Sequence, residues 1–131
     1  IVRNKLNNYV DFLGEVDRKE VAYILASSDI YVHVSLTEAA APLAIMEALA
    51  SGLPVVAYDL PFYDFLKDNE NAILVKRGDV RALATVLETL INDKNLRENL
   101  ERRARIFAEE NLSWKKIVER YYVELYKRLL Q

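Results

Sequence analysis

The sequence predicts an α/β fold, a parallel sheet with helices on both faces, and three observations predict it. Short runs rich in β-branched and aromatic residues alternate with segments of helical spacing as far as Val75. Glycine and proline punctuate the changes, as at Gly14, Gly52 and Pro54. After Val75 only helical periodicity remains. Strand and helix in alternation imply parallel strands joined by right-handed crossovers, a Rossmann-like arrangement, with the C-terminal helices packed on the sheet.

Taken in order, "NYVDFLG" alternates and stops at Gly14, which predicts a strand from Tyr9 to Leu13. "DRKEVAYILASS" spaces Val21, Ile24 and Leu25 as a helix. "DIYVHVS" is too short for a helix and reads as a second strand, Ile30 to Val34. Pro42 suits the first turn of the next helix, which Gly52 and Pro54 stop. "PVVAY" is a third strand, "PFYDFLKD" a short helix and "AILV" a fourth strand. The tail begins with "GDVRALATVLETLIND", whose Val80, Leu83, Val86, Leu87 and Leu90 share a face behind the N-cap Asp79. "NLRENLERRARIFAEEN" follows. A last helix opens at Ser113 and carries an apolar stripe from Trp114 through Ile117, Tyr121 and Leu125 to Leu129, expected to cover the sheet of the same domain.

Length and composition narrow the function classes. The chain has 131 residues, 52% hydrophobic and 29% charged, and predicts one compact domain, residues 1–131. A net charge of −2 without a basic block argues against nucleic acid or an anionic membrane as partner. There is no cysteine, so disulfide and thiolate chemistry are absent, and the default setting is cytoplasmic. The longest nearly uncharged stretch, Ala39 to Tyr58, is broken by Pro42, Glu47, Gly52 and Pro54, which suits a buried helix and strand better than a membrane span. The chain opens on Ile1, and a piece of a longer protein is expected.

The candidate chemistry sits between Glu38 and Glu47. Open parallel sheets bind ligands beyond the carboxyl ends of their strands, which is where Glu38 falls. The following "EAAAP" leads into a helix whose first N–H groups, near Ala40, Ala41 and Leu43, carry the positive end of the helix dipole and can receive a phosphate without a lysine. Small side chains there let a diphosphate approach the backbone. Glu47, five residues beyond Pro42, is a carboxylate among Leu43, Ala44, Ala50 and Ser51. Left unpaired in apolar surroundings it would be costly. Two readings stay open: an exposed helix edge, or a carboxylate accepting from the adjacent hydroxyls of a ribose. His33, the one histidine, reads either as a hydrogen-bonded interior residue or as a site residue. Phe62, Tyr63 and Phe65 read as packing residues.

These residues also carry a resemblance. "VDFLGEV", "ILASSDIYVHVSLTE", "EALASGLPVV" and the tail "GDV..LA..L..LI.D..LRE.L...AR..AEEN.SW" resemble, in order, the C-terminal domain of retaining GT-B glycosyltransferases of family 4, the glycosyl transferases group 1 type. The resemblance implies a domain holding a nucleoside-diphosphate sugar as donor. Glu47 then matches the ribose ligand, and Glu38 the glutamate that faces the donor sugar and acts in catalysis. Amides around Ala40, Ala41 and Leu43 would bind the diphosphate, and the loop Gly14, Glu15 and Val16 would lie against the base. No prosthetic group or metal is expected, the leaving diphosphate being met by the helix dipole and basic side chains. The sugar would pass to an acceptor hydroxyl with retained configuration.

The sequence departs from the family's pattern at three places. Eight residues separate Glu38 from Glu47 where the family has seven, "AAA" replaces the glycines of that loop, and "LPFYDF" replaces a glycine pair after the third strand. The resemblance further implies that the first strands of this domain, a basic pair and an N-terminal acceptor domain belong upstream of Ile1. An acceptor glycan or lipid, and any membrane contact at the inner face, would be reached through that part, and the isolated chain is expected to transfer no sugar. Two other readings remain: a non-catalytic nucleotide-binding or partner-docking module of the same fold, and a GT-B enzyme that rearranges a nucleotide sugar, such as an epimerase.

Overall fold

The computed structural model describes residue 6 and residues 8–37 and 42–130. The sheet has three parallel strands in the order β1 (Tyr31–His33), β2 (Val55–Asp59), β3 (Ile73–Lys76). Tyr31 pairs with Val55, and Val56 with Ile73. The central strand is buried on both sides, as a parallel strand between helical layers must be. Val55 and Ala57 point into one apolar layer, and Val56 and Tyr58 into the other.

The first layer is closed by α2 (Leu43–Ala50) through Ile45, Ala48 and Leu49, and by Leu25 of α1 (Arg18–Ala26). The second is closed by α3 (Val80–Asn92), whose Leu90 is fully buried. The long helix α4 (Lys94–Asn111) serves both, giving Leu100 to the second layer and Ala104 and Ala108 to the first. Arg105 of α4 donates to the carbonyl of Ala50, and Arg103 donates to that of Asn69 at 2.8 Å.

Local chemistry explains the helix ends. Asp17 accepts from the amides of Lys19 and Glu20 at 2.7 and 2.9 Å, and Glu20 accepts from the amide of Asp17 at 3.2 Å, a reciprocal capping box that sets where α1 begins. Asp79 caps α3 through the amide of Ala82 at 2.9 Å, as the sequence indicates. At the end of α2, Gly52 adopts φ +77, Leu53 donates to Ala48 and Gly52 to Leu49, each at 3.0 Å. That pair of bonds is the Schellman closure, which needs a left-handed residue at this position.

Three expectations are corrected. Residues 9–13 form no strand: Asn8 and Tyr9 turn, and the segment runs unpaired. A strand exists by virtue of a neighbouring ladder, and no described strand lies beside this one; Tyr9 and Phe12 are each 83% exposed, so the alternation has no surface to bury against. "PFYDFLKD" is a run of tight turns instead of a helix, with Tyr63 donating to Leu60 at 3.1 Å and Leu66 to Tyr63 at 2.8 Å. The buried Asn71 side chain takes the amide of Lys67 at 2.7 Å and donates to the carbonyl of Phe65 at 2.9 Å, groups that a helix would have used internally.

The tail does not cover the sheet. It rises as α5 (Trp114–Ile117), a π-helical segment (Val118–Val123) and α6 (Glu124–Leu129), and it meets α4 through α5 and through Arg120, which donates to Asn111 Oδ1 at 3.3 Å. Trp114 is 75% and Leu129 70% exposed. Both faces of the sheet are already taken by the helices before it. Ser113 stands at the cap position of α5 without a side-chain cap bond. Among the described residues no helix is long and apolar enough to cross a membrane.

Candidate functional site

Parallel strands bring β1, β2 and β3 to one rim, where His33, Asp59 and Lys76 end them. The helix α2 starts above that rim. Its cap position is Pro42, whose side chain makes no capping bond. The amides of Leu43 and Ala44 therefore have no acceptor within the helix, and carry the positive end of its dipole. Leu43 is 73% exposed there. Glu38, Ala40 and Ala41 lie outside the described residues.

Glu47 lies on the flank of α2. Ile45, Ala48 and Leu49 turn into the core, which leaves Glu47 facing α1. It is half-buried and lines a cleft of about 220 Å³, walled by Arg18, Val21 and Leu25 of α1 and by Ala50 and Ser51 at the end of α2. Among the described residues its carboxylate enters no ion pair and no side-chain hydrogen bond. The exposed-edge reading of Glu47 thus gives way to a carboxylate in a crevice between two helices.

On the other flank of α1 lies a second hollow, of about 680 Å³, lined by Leu13, Glu15, Val16, Lys19 and Tyr23. Gly14, at φ +69, turns the chain into it, Glu15 is exposed and Val16 half-buried. The loop Gly14 to Val16 and Glu47 are thus placed on either side of the amino-terminal half of α1. Loop and carboxylate border neighbouring spaces rather than one.

His33 is half-buried at the end of β1 and hydrogen-bonded without lying in the core. Its Nδ1 lies 3.2 Å from the Tyr31 hydroxyl, its ring stacks on Tyr31 at 6.2 Å, and Tyr63 meets it edge-on at 6.1 Å. Tyr63 in turn meets Phe65 edge-on at 6.2 Å and is buried, while Phe62 is 53% exposed. This aromatic row runs from Tyr31 at the start of β1 through His33 to Tyr63 and Phe65. Sequence reading missed it because it joins β1 to a loop about thirty residues away. Arg18 was also missed, although residues 18, 21 and 25 share a helical face, and the cap at Asp17 marks Arg18 as the first residue of α1. Among the described residues no group of three or more His, Asp or Glu side chains converges in a way that could hold a metal ion.

Comparisons with known proteins bear on this geometry. The family model described as "Glycosyl transferases group 1" matches residues 3–107. An uncharacterized glycosyltransferase of Methanocaldococcus jannaschii is 32% identical over 128 residues, which are 97% of this chain and 32% of that protein. A phosphatidyl-myo-inositol mannosyltransferase of Mycobacterium leprae is 38% identical over 94 residues, 71% of this chain and 25% of that one. Among solved structures, Anabaena HepE in complex with UDP superposes with a TM-score of 0.85 at 25% identity, covering 96% of this chain and 34% of HepE. Sucrose-phosphate synthase of Thermosynechococcus elongatus gives 0.86 at 25% identity, over 98% of this chain and 32% of the synthase. The chain thus spans about a third or less of the length of these curated relatives.

Proposed function

We propose, from the premise that this chain belongs to the glycosyl transferases group 1 family, that it is the donor-binding portion of a retaining glycosyltransferase. Its substrate class is a nucleoside-diphosphate sugar, and the acceptor is a hydroxyl of a glycan or lipid. One observation carries the reading: Glu47, the helix carboxylate of the family's pattern, sits half-buried in a crevice without a side-chain partner among the described residues. A ribose diol supplies the two donors such a carboxylate lacks. The UDP complex of HepE supports a nucleotide in this fold.

In this reading the diphosphate rests on the amino end of α2, at Leu43 and the preceding Ala40 and Ala41, and the base lies against Gly14, Glu15 and Val16. The bond between the anomeric carbon and the diphosphate oxygen breaks, with the electron pair leaving on the diphosphate. Uncompensated amides at the helix start, already oriented, stabilise that growing charge. Glu38 faces the donor sugar at the anomeric centre. The acceptor oxygen adds on the face the diphosphate leaves and passes its proton to the departing diphosphate oxygen, so configuration is retained. Residues of the parent protein outside this chain bring the acceptor, and a cytoplasmic site at the inner face of a membrane suits a lipid acceptor.

The test has two arms. Calorimetric titration of the chain with UDP, GDP and ADP measures donor-half binding, and Glu47→Ala should weaken it by about tenfold or more. Transfer by the full-length parent, with the anomeric configuration of the product read by NMR, tests retention; an inverted product overturns that part. A second reading is favoured by the exposed tail stripe: a module that docks a partner through Trp114 to Leu129 and has lost catalysis. It predicts no heat with any nucleotide and no effect of Glu47→Ala.

A further inference from the structure

We infer that Arg18 is a ribose-binding residue that works with Glu47 to read both hydroxyls of the nucleotide sugar ring, and so selects ribonucleotides over 2′-deoxyribonucleotides. The inference rests on the assignment of Glu47 to that ribose.

Arg18 opens α1 directly after the capping box of Asp17 and Glu20, which fixes the helix start and with it the origin of the Arg18 side chain. Val21 and Leu25 continue the same face, so the wall opposite Glu47 begins with a guanidinium and continues apolar. Among the residues lining the cleft Arg18 is the one cation and Glu47 the one anion. The ion pairs among the described residues are Lys94 with Glu98, Arg105 with Glu109 and Arg128 with Glu124, so the two cleft charges are not joined to each other. About 220 Å³ of open space lies between their helices.

Opposite charges held on facing walls but apart define what fits between them. A carboxylate only accepts hydrogen bonds and a guanidinium only donates. The guest must therefore offer donors on one side and acceptors on the other, and be neutral enough not to be repelled by either wall. A phosphate fails at Glu47, and an ammonium fails at Arg18. A vicinal diol satisfies both, since each hydroxyl donates once and accepts twice. Glu47 takes the two O–H donors while Arg18 gives N–H groups to the same oxygens, and loss of the 2′-hydroxyl strands one bond on each wall.

The experiment is calorimetric titration of the 131-residue chain with UDP and with 2′-deoxy-UDP, for the parent sequence, Arg18→Ala, Arg18→Lys and Glu47→Ala, with circular dichroism confirming that each remains folded. The expected result is a preference for UDP of about tenfold or more, from lost charge-assisted bonds. Arg18→Ala should weaken UDP by about tenfold and reduce the preference to the part that Glu47 alone reads, and Arg18→Lys should restore part of what is lost. A preference left intact in Arg18→Ala but lost in Glu47→Ala overturns the role of Arg18 and keeps that of Glu47. An unchanged Glu47→Ala, or no heat from the parent sequence with UDP, GDP or ADP at millimolar concentration, overturns the ribose assignment itself and the inference with it.

Discussion

Glu47 shows how a single side chain acquires a role from its neighbours. On α2 its flank is set by Ile45, Ala48 and Leu49, which the core claims, and the remaining direction opens on the α1 wall. A half-buried carboxylate with no side-chain partner among the described residues is a cost that a bound diol offsets. Replacing it by glutamine keeps shape and removes charge, so Glu47→Gln should weaken nucleotide binding by about tenfold while leaving the melting temperature unchanged or raised, measured by titration and thermal unfolding. Gly52 is the contrasting case, with a role in the backbone alone. A Cβ there would meet Arg105 Cβ and the Glu101 carbonyl at an ordinary 3.8 Å, so space is available but φ +77 is not suited to a side chain. Gly52→Ala should cost about 1–2 kcal/mol of stability, read as a shift of the urea midpoint without a change in slope.

At the scale of elements, α2 is held at both ends by different means. Its amino end has no side-chain cap among the described residues, and its carboxyl end is closed by Gly52 and by the Arg105 guanidinium on the Ala50 carbonyl. A cation at a helix C-terminus is favourable through the dipole, and this one also locks α4 onto α2. Arg105→Ala removes that bond and the exposed pair with Glu109, and should destabilise by about 1–2 kcal/mol in chemical unfolding, nearly all of it from the carbonyl bond. The capping box of α1 works likewise. Asp17→Ala should cost about 1 kcal/mol and, by loosening the first turn that carries Arg18, weaken nucleotide binding, which titration of the same variant checks.

For the whole molecule, two apolar layers meet the sheet, and α4 ties them together, while the tail from Trp114 onward adds nothing to either. Removing residues 114–131 should therefore shift thermal unfolding by no more than a few degrees, whereas Leu49→Ala, at a fully buried position, should cost about 2–5 kcal/mol. A large loss of stability on truncation would show that the tail is packed in solution. The same distinction between local and distant partners explains what could be read in advance. Helices α1 to α4, the strands β1 to β3 and the cap at Asp79 follow from periodicity and punctuation, which are properties of neighbouring residues. The strand at Tyr9 to Leu13 and the helix at Pro61 to Asp68 carried the right local pattern and failed, because one has no described ladder beside it and the other surrenders its backbone groups to Asn71.

The sequence by itself determined the α/β class, the family pattern around Glu47 and the place of that carboxylate on a helix that starts at the strand rim. Only the tertiary structure decided that Glu47 shares a cleft with Arg18, that His33 lies in an aromatic row with Tyr31 and Tyr63, and that the tail stands clear of the sheet. Spacing along a chain determines which side chains share one helix face or strand face. Which faces meet depends on crossover geometry and on competition for a limited area of sheet, and both are settled when the layers pack.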